Sequence, residues 1–188
     1  MLSPTRGDPA IQGVVDAAAR KGVTLEVTVF DESTHTAAEA AAAVGAEIGQ
    51  IVKSLVFVAP REGAAPEPIL CLVAGSNRVD VARLAAVTGE REIRRATARE
   101  AHELTGFSIG GIPPIGHGRA IRAVMDPDLG RFPVVWAAAG RPTAVFPVTP
   151  ASLRVLANAV VAPIAEERAT EGAAAERNAD PASQGAGA

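Results

Sequence analysis

Gly110-Gly111-Ile112-Pro113-Pro114-Ile115-Gly116-His117 puts three glycines, two prolines and a histidine into eight residues. Glycine lets a ligand or another backbone come close, and proline fixes φ while removing an N–H donor. The stretch therefore specifies a rigid loop with exposed amides and carbonyls, a common carrier of a site; a tight turn between strands is the alternative. Among the three histidines, His117 is the first candidate for a polar contact or proton transfer, against a purely hydrogen-bonded structural role. Lys53 is the second candidate. Sixteen of the 18 basic residues are arginine, so a lysine at the head of an apolar strand offers what arginine does not. It supplies a compact ammonium that can stand beside a carbonyl, carboxylate or phosphate as a point charge. A strand-end lysine reaching into water is the alternative.

Two further segments close strands with residues that can face a ligand. Gly75-Ser76-Asn77-Arg78-Val79-Asp80 follows a buried strand and precedes a helix, although Asn77 and Asp80 also suit turn and cap roles. Ala137-Ala138-Ala139-Gly140-Arg141-Pro142 ends another strand in small side chains that let a neighbour approach the backbone. No His and carboxylate spacing resembles a metal site, and neither a phosphate-binding glycine loop with Lys-Ser/Thr nor a Gly-x-Ser-x-Gly elbow occurs. The sequence thus implies no metal and no cofactor. Cys71, the single cysteine, lies inside Ile69-Leu70-Cys71-Leu72-Val73 and reads as a small buried hydrophobe.

The elements that must position these residues follow from pattern and composition. With 188 residues, 48% of them hydrophobic, the chain can bury one core, and residues 1–166 read as one domain. No apolar run approaches the roughly 18 residues of a membrane span, and the first residues show no signal-peptide hydrophobic region; the expected location is the cytoplasm. The net charge of −3 argues against a protein that coats nucleic acid. The segment from Glu166 onward carries that whole excess, so the body is neutral, and its densest basic cluster is Arg91, Arg94, Arg95 and Arg99, interleaved with Glu90, Glu92 and Glu100. Residues 167–188 are rich in Ala, Gly and Glu and are expected to be a disordered tail.

Pro9 to Lys21 is expected to form a helix capped by Asp8, and Leu25 to Val29 a half-buried strand. Thr36-Ala37-Ala38-Glu39 and Thr97-Ala98-Arg99-Glu100 are capping boxes whose helices should stop at Gly45 and Gly106. Ser54 to Ala59 and Pro68 to Ala74 read as strands covered on both faces, followed by a short helix from Asp80 to Val87. After the glycine–proline loop come strands at 120–125, 133–138 and 143–148, and a last helix opened by Thr149-Pro150. This irregular alternation predicts an α+β fold, a curved mixed β-sheet, barrel-like, surrounded by helices.

Taken in order, these pieces resemble the YbaK family, the prolyl-tRNA synthetase editing-domain family, whose members remove wrongly attached amino acids from tRNA. The resemblance covers about Val23 to Ile164. It rests on Thr34-His35-Thr36, Val52-Lys53-Ser54-Leu55-Val56-Phe57, Gly75 to Asp80, Gly110 to His117, and Ala138-Ala139-Gly140 ahead of Phe146. It places the family's invariant lysine on Lys53 and its Gly-x-x-x-Pro loop on Gly110 and Pro114. One departure is Pro113, where relatives carry Ser, which removes a hydroxyl and an N–H. The resemblance implies a free-standing deacylase acting on a mischarged tRNA, a small amino acid on tRNAPro or a related tRNA, through its acceptor end. A synthetase or an elongation factor is a further candidate partner, and no membrane is. The implied catalytic residues are Lys53, Gly110 and His117. Thr34, His35, Ser76, Asn77, Gly111, Pro114, Gly116, Ala138 and Gly140 are the implied substrate-binding set. Because the ester is labile, positioning and oxyanion stabilisation can suffice without a side-chain nucleophile. The rival reading is a non-catalytic module that binds aminoacyl-tRNA or a nucleotide in the same pocket.

Overall fold

The computed structural model describes residues 7–31 and 36–167. Its frame is a hairpin of two long strands, β2 (Val52–Ala59) and β3 (Glu67–Ala74), antiparallel and paired from Val52 opposite Ala74 to Ala59 opposite Glu67. Both are apolar on both faces because each face meets its own cluster. One face packs Val56, Val58, Leu70 and Leu72 against Phe146, Leu153 and Leu156; the other packs Phe57, Ile69, Cys71 and Val73 against Leu84, Val124 and Ile164. A strand buried twice loses the polar alternation that would betray its pleat.

Around the hairpin the elements follow the caps. Asp8 caps α1 (Pro9–Ala19), and Thr36 with Glu39 forms the box that opens α2 (Ala37–Val44), which stops at Gly45. Asp80 caps α3 (Val81–Thr88). Thr97 with Glu100 opens α4 (Ala98–Thr105), ending at Gly106, and Thr149 caps α5 (Pro150–Ala157), ending at Asn158. Each cap side chain accepts backbone N–H groups that the first turn leaves unpaired.

The strands form two sheets. One places β1 (Thr28–Val29) beside β7 (Ala144–Val148) and β6 (Val135–Ala138). The other runs β4 (Arg94–Arg95), β2, β3, β5 (Arg122–Met125) and β8 (Val160–Val161), with β3 parallel to β5 and β5 to β8. The architecture is thus α+β with mixed pairing, as expected. The expected strand at Leu25–Val29 shrinks to Thr28–Val29. The pair Arg94–Arg95, expected only as part of a basic face, is an edge strand. Of the expected tail, residues 167–188, Glu167 is described and pairs with Arg83 at 2.5 Å, while residues 168–188 lie outside the described residues.

One buried carboxylate closes the sheet. Asp126, 2% exposed, accepts the backbone N–H groups of Asp128, Ile164 and Ala165 at 2.8–3.0 Å, while its own N–H reaches Leu72 O. It ties β3, β5 and the segment after β8 together. Asp126→Ala should lower the unfolding free energy by about 3 kcal/mol or more, since it leaves three backbone N–H groups without their acceptor at ~1–3 kcal/mol each. Urea denaturation checks it, and an unchanged midpoint refutes the assignment.

Candidate active site

A cavity of about 200 Å³ opens along the outer edge of β2. It is smaller than the roughly 300–1,000 Å³ of pockets for drug-sized ligands, so it fits a small group. Its walls come from four directions: Ile51 with Val52 to Val56 of β2, Ala37 and Ala40 of α2, Trp136, Ala138 and Val145 of β6 and β7, and Ile109 with Gly110 and Ile112 of the glycine–proline loop. Arg95, Ala96 and Ala101 close the remaining side. Trp136 and Ala138 alternate with the buried Val135 and Ala137, which is how a strand can line a cavity and fill the core at once.

Lys53 is half-buried on this edge and donates from Nζ to the backbone carbonyl of Asn77. Burial lowers its pKa below the usual lysine value, and the positive charges of Arg95 and Arg78 lower it further. No Asp, Glu, His or Cys stands among the described residues that line the cavity; Lys53 and Arg95 are its ionisable side chains. The neighbours of Arg95 are neutralised, Arg94 by Glu100 at 2.7 Å and Arg99 by Glu103 at 3.4 Å. The site is therefore electropositive and apolar, suited to an anionic group beside a small hydrophobic one.

The glycine–proline loop is seated by contacts that leave no room for a side chain. A Cβ on Gly111 would lie 2.8 Å from the Arg141 backbone, and one on Gly140 would lie 3.0 Å from the Ala10 carbonyl of α1. Ile112 to Ile115 are buried. His117 turns its ring edge to Phe107, centroids 6.0 Å apart at 76°. Its Nε2 is 2.9 Å from the Pro113 carbonyl, so that nitrogen carries the hydrogen. Burial lowers the His117 pKa, partly opposed by that carbonyl.

Of the residues singled out in the sequence, Lys53, Gly110 and Ala138 line the cavity. Asn77 touches it through Lys53, and its side chain donates to Asp128 at 2.8 Å. Ser76 is exposed with its hydroxyl on Asn77 Oδ1. Gly111, Pro114, Gly116, His117 and Gly140 stand behind the lining, in the packing that holds the loop; Thr34 and His35 lie outside the described residues. Ile51 and Trp136 are not singled out in the sequence, and Arg95 is named there only as part of the basic cluster. Nothing local marks them, because a cavity wall is made by elements far apart in the chain.

The family model described as an aminoacyl-tRNA editing domain matches residues 31–156. The chain belongs to that family. A solved structure described as that of a candidate trans-editing enzyme for prolyl-tRNA synthetase superposes with a TM-score of 0.78 at 46% identity, covering 86% of this chain and 99% of that one. A candidate Cys-tRNA(Pro)/Cys-tRNA(Cys) deacylase, EbsC of Enterococcus faecalis, is 25% identical over 131 residues, 69% of this chain and 77% of its own. Proline–tRNA ligase of Stenotrophomonas maltophilia strain K279a is 34% identical over 129 residues, 69% of this chain but only 21% of the ligase. Together these support a tRNA-editing, deacylase role for the family domain seen here.

Lys53 carries a testable electrostatic signature. With its folded-state pKa below the unfolded value of 10.5, the unfolded chain binds more protons between the two, so stability should rise with pH across that window. Lys53→Met should lack this rise. Unfolding free energies of both proteins from pH 7 to 10.5 check it; a difference constant with pH refutes it.

Proposed function

We propose that this protein is a free-standing deacylase that hydrolyses the ester linking a small amino acid to a mischarged tRNA, tRNAPro or a related one. The observation that carries the reading is the cavity itself: small, apolar, with a lysine at its mouth and no acid, histidine or cysteine among its described lining residues. With no acid, histidine or cysteine to act as nucleophile or base among the described lining residues, water is the attacking group in this reading. The tRNA's own terminal ribose hydroxyl is the available proton acceptor. Water adds to the ester carbonyl, and the intermediate expels the ribose oxygen, which takes up a proton, leaving free amino acid and intact tRNA. Positioning and charge stabilisation do the work.

In this reading Lys53 fixes a phosphate of the terminal nucleotide or the ester carbonyl, and the loop from Gly110 to Gly116, with the backbone near Gly140, holds the aminoacyl end. Gly110 and Ala138 would contact it. His117, with Pro114 and Gly111 behind the lining, keeps the loop in place. The neutral body predicts modest affinity for tRNA, concentrated at the acceptor end.

Lys53→Ala should abolish deacylation of the best substrate in a panel of mischarged tRNAs, and Lys53→Arg should remain poor because a planar fork does not replace a compact ammonium. Near-normal hydrolysis by the alanine variant, with unchanged melting, refutes the assignment. His117→Ala should be milder, about 10- to 100-fold, below the ~10²–10⁴-fold of general acid–base catalysis at its upper end, and should lower the melting temperature as well. If His117→Ala is inactive at unchanged melting temperature, the imidazole acts in the chemistry.

A further inference from the structure

We propose that the aminoacyl group docks as a one-residue β-strand on the free outer edge of β2, through the backbone of Ser54. Its carbonyl oxygen accepts from the Ser54 N–H, and its amino group donates to the Ser54 carbonyl. The inference deepens the deacylase reading and rests on it for the identity of the ligand.

The edge is free because the sheet stops short. The strand β4 pairs with β2 only at Phe57 and Val58, extended by Ala96 N–H to Val56 O at 3.0 Å. At the other end Ile51 bridges Trp136. Between these points no partner strand covers β2 on this side among the described residues, and the cavity occupies the gap. Consecutive residues of a strand send their N–H and C=O to opposite edges. The Val56 carbonyl points outward to Ala96, so Ser54, two residues earlier, also turns its N–H and C=O outward, while Lys53 and Leu55 turn theirs to β3.

Exposure agrees. Ser54 is half-exposed, yet its hydroxyl is buried and without a hydrogen-bond partner. What Ser54 presents to the cavity is therefore its main chain rather than its hydroxyl. An aminoacyl ester matches that presentation, because its amino and carbonyl groups flank one Cα as they do in a strand residue, the pairing by which extended peptides add to sheet edges. The cavity offers the amino group no carboxylate among its described lining residues, so a backbone carbonyl is the acceptor at hand. An N–H aimed at the ester carbonyl also faces the oxygen that becomes negative as water adds, which leaves the Lys53 charge for the phosphate.

Hydrogen exchange tests the docking without turnover. The probe is 3′-alanylamido-3′-deoxyadenosine, an amide that the protein cannot hydrolyse as an ester. The Ser54 amide should exchange rapidly in the free protein and slow on adding the probe; an amide already protected, or unaffected by it, overturns the proposal. In turnover, Ser54→Pro removes the N–H at an edge position where proline is tolerated, and should cut kcat/KM by about 10²–10³-fold, the loss expected for one oxyanion donor. Cooperative melting must be retained. The loss must exceed that of Ser54→Ala, which keeps the N–H; equal losses place the contact on the hydroxyl and overturn the proposal. If the proline variant does not fold, exchange in the wild type decides. If the wild type hydrolyses no mischarged tRNA while the probe still slows Ser54, the deacylase reading fails and the docking stands.

Discussion

The pairing of β2 with β3 is the constraint on which the rest depends. Because successive side chains alternate between faces, a single register sends Val56, Val58, Leu70 and Leu72 to one cluster and Phe57, Ile69, Cys71 and Val73 to the other. A slip of one residue would exchange the two sets and expel Lys53 from its place at the cavity. The same register fixes which main-chain groups face outward where β4 ends. Core, lysine and open edge are consequences of one hydrogen-bonded ladder.

The site is kept at some cost to the fold. Lys53, Arg95 and Arg78 are like charges close enough to depress the lysine pKa, one of them half-buried. Elsewhere the protein neutralises its cations: Arg61 and Arg122 bracket Glu90 and hold its carboxyl down at about 2. The buried, unpartnered Ser54 hydroxyl adds to the unfavourable terms. A half-buried lysine beside two further cations is an arrangement that a bound anion would relieve.

The loop shows a second economy. Glycines serve packing here: Gly111 of the loop lets the Arg141 backbone approach, and Gly140 of the neighbouring 139–142 turn does the same for Ala10. Rigidity comes from these contacts and from the His117 ring lying between Phe107 and the Pro113 carbonyl. Gly110, exposed at a φ of +90°, is the glycine of this loop that reaches the cavity.

The sequence by itself determined the punctuation and the chemistry at hand. The capping boxes at Thr36 and Thr97, the stops at Gly45 and Gly106, the buried Cys71 and the rarity of lysine are all local facts, and each is found as expected. Motif order likewise pointed to the editing family. What the tertiary structure alone decided is which residues meet. Ile51, Arg95 and Trp136 join Lys53 at one cavity from segments that no local pattern connects, and the glycines behind the lining are explained only by neighbours on α1 and the 139–142 turn. The free edge at Ser54 is a property of strand order and of where β4 ends, because main-chain groups are identical in every residue and only pairing reveals which of them remain unspent.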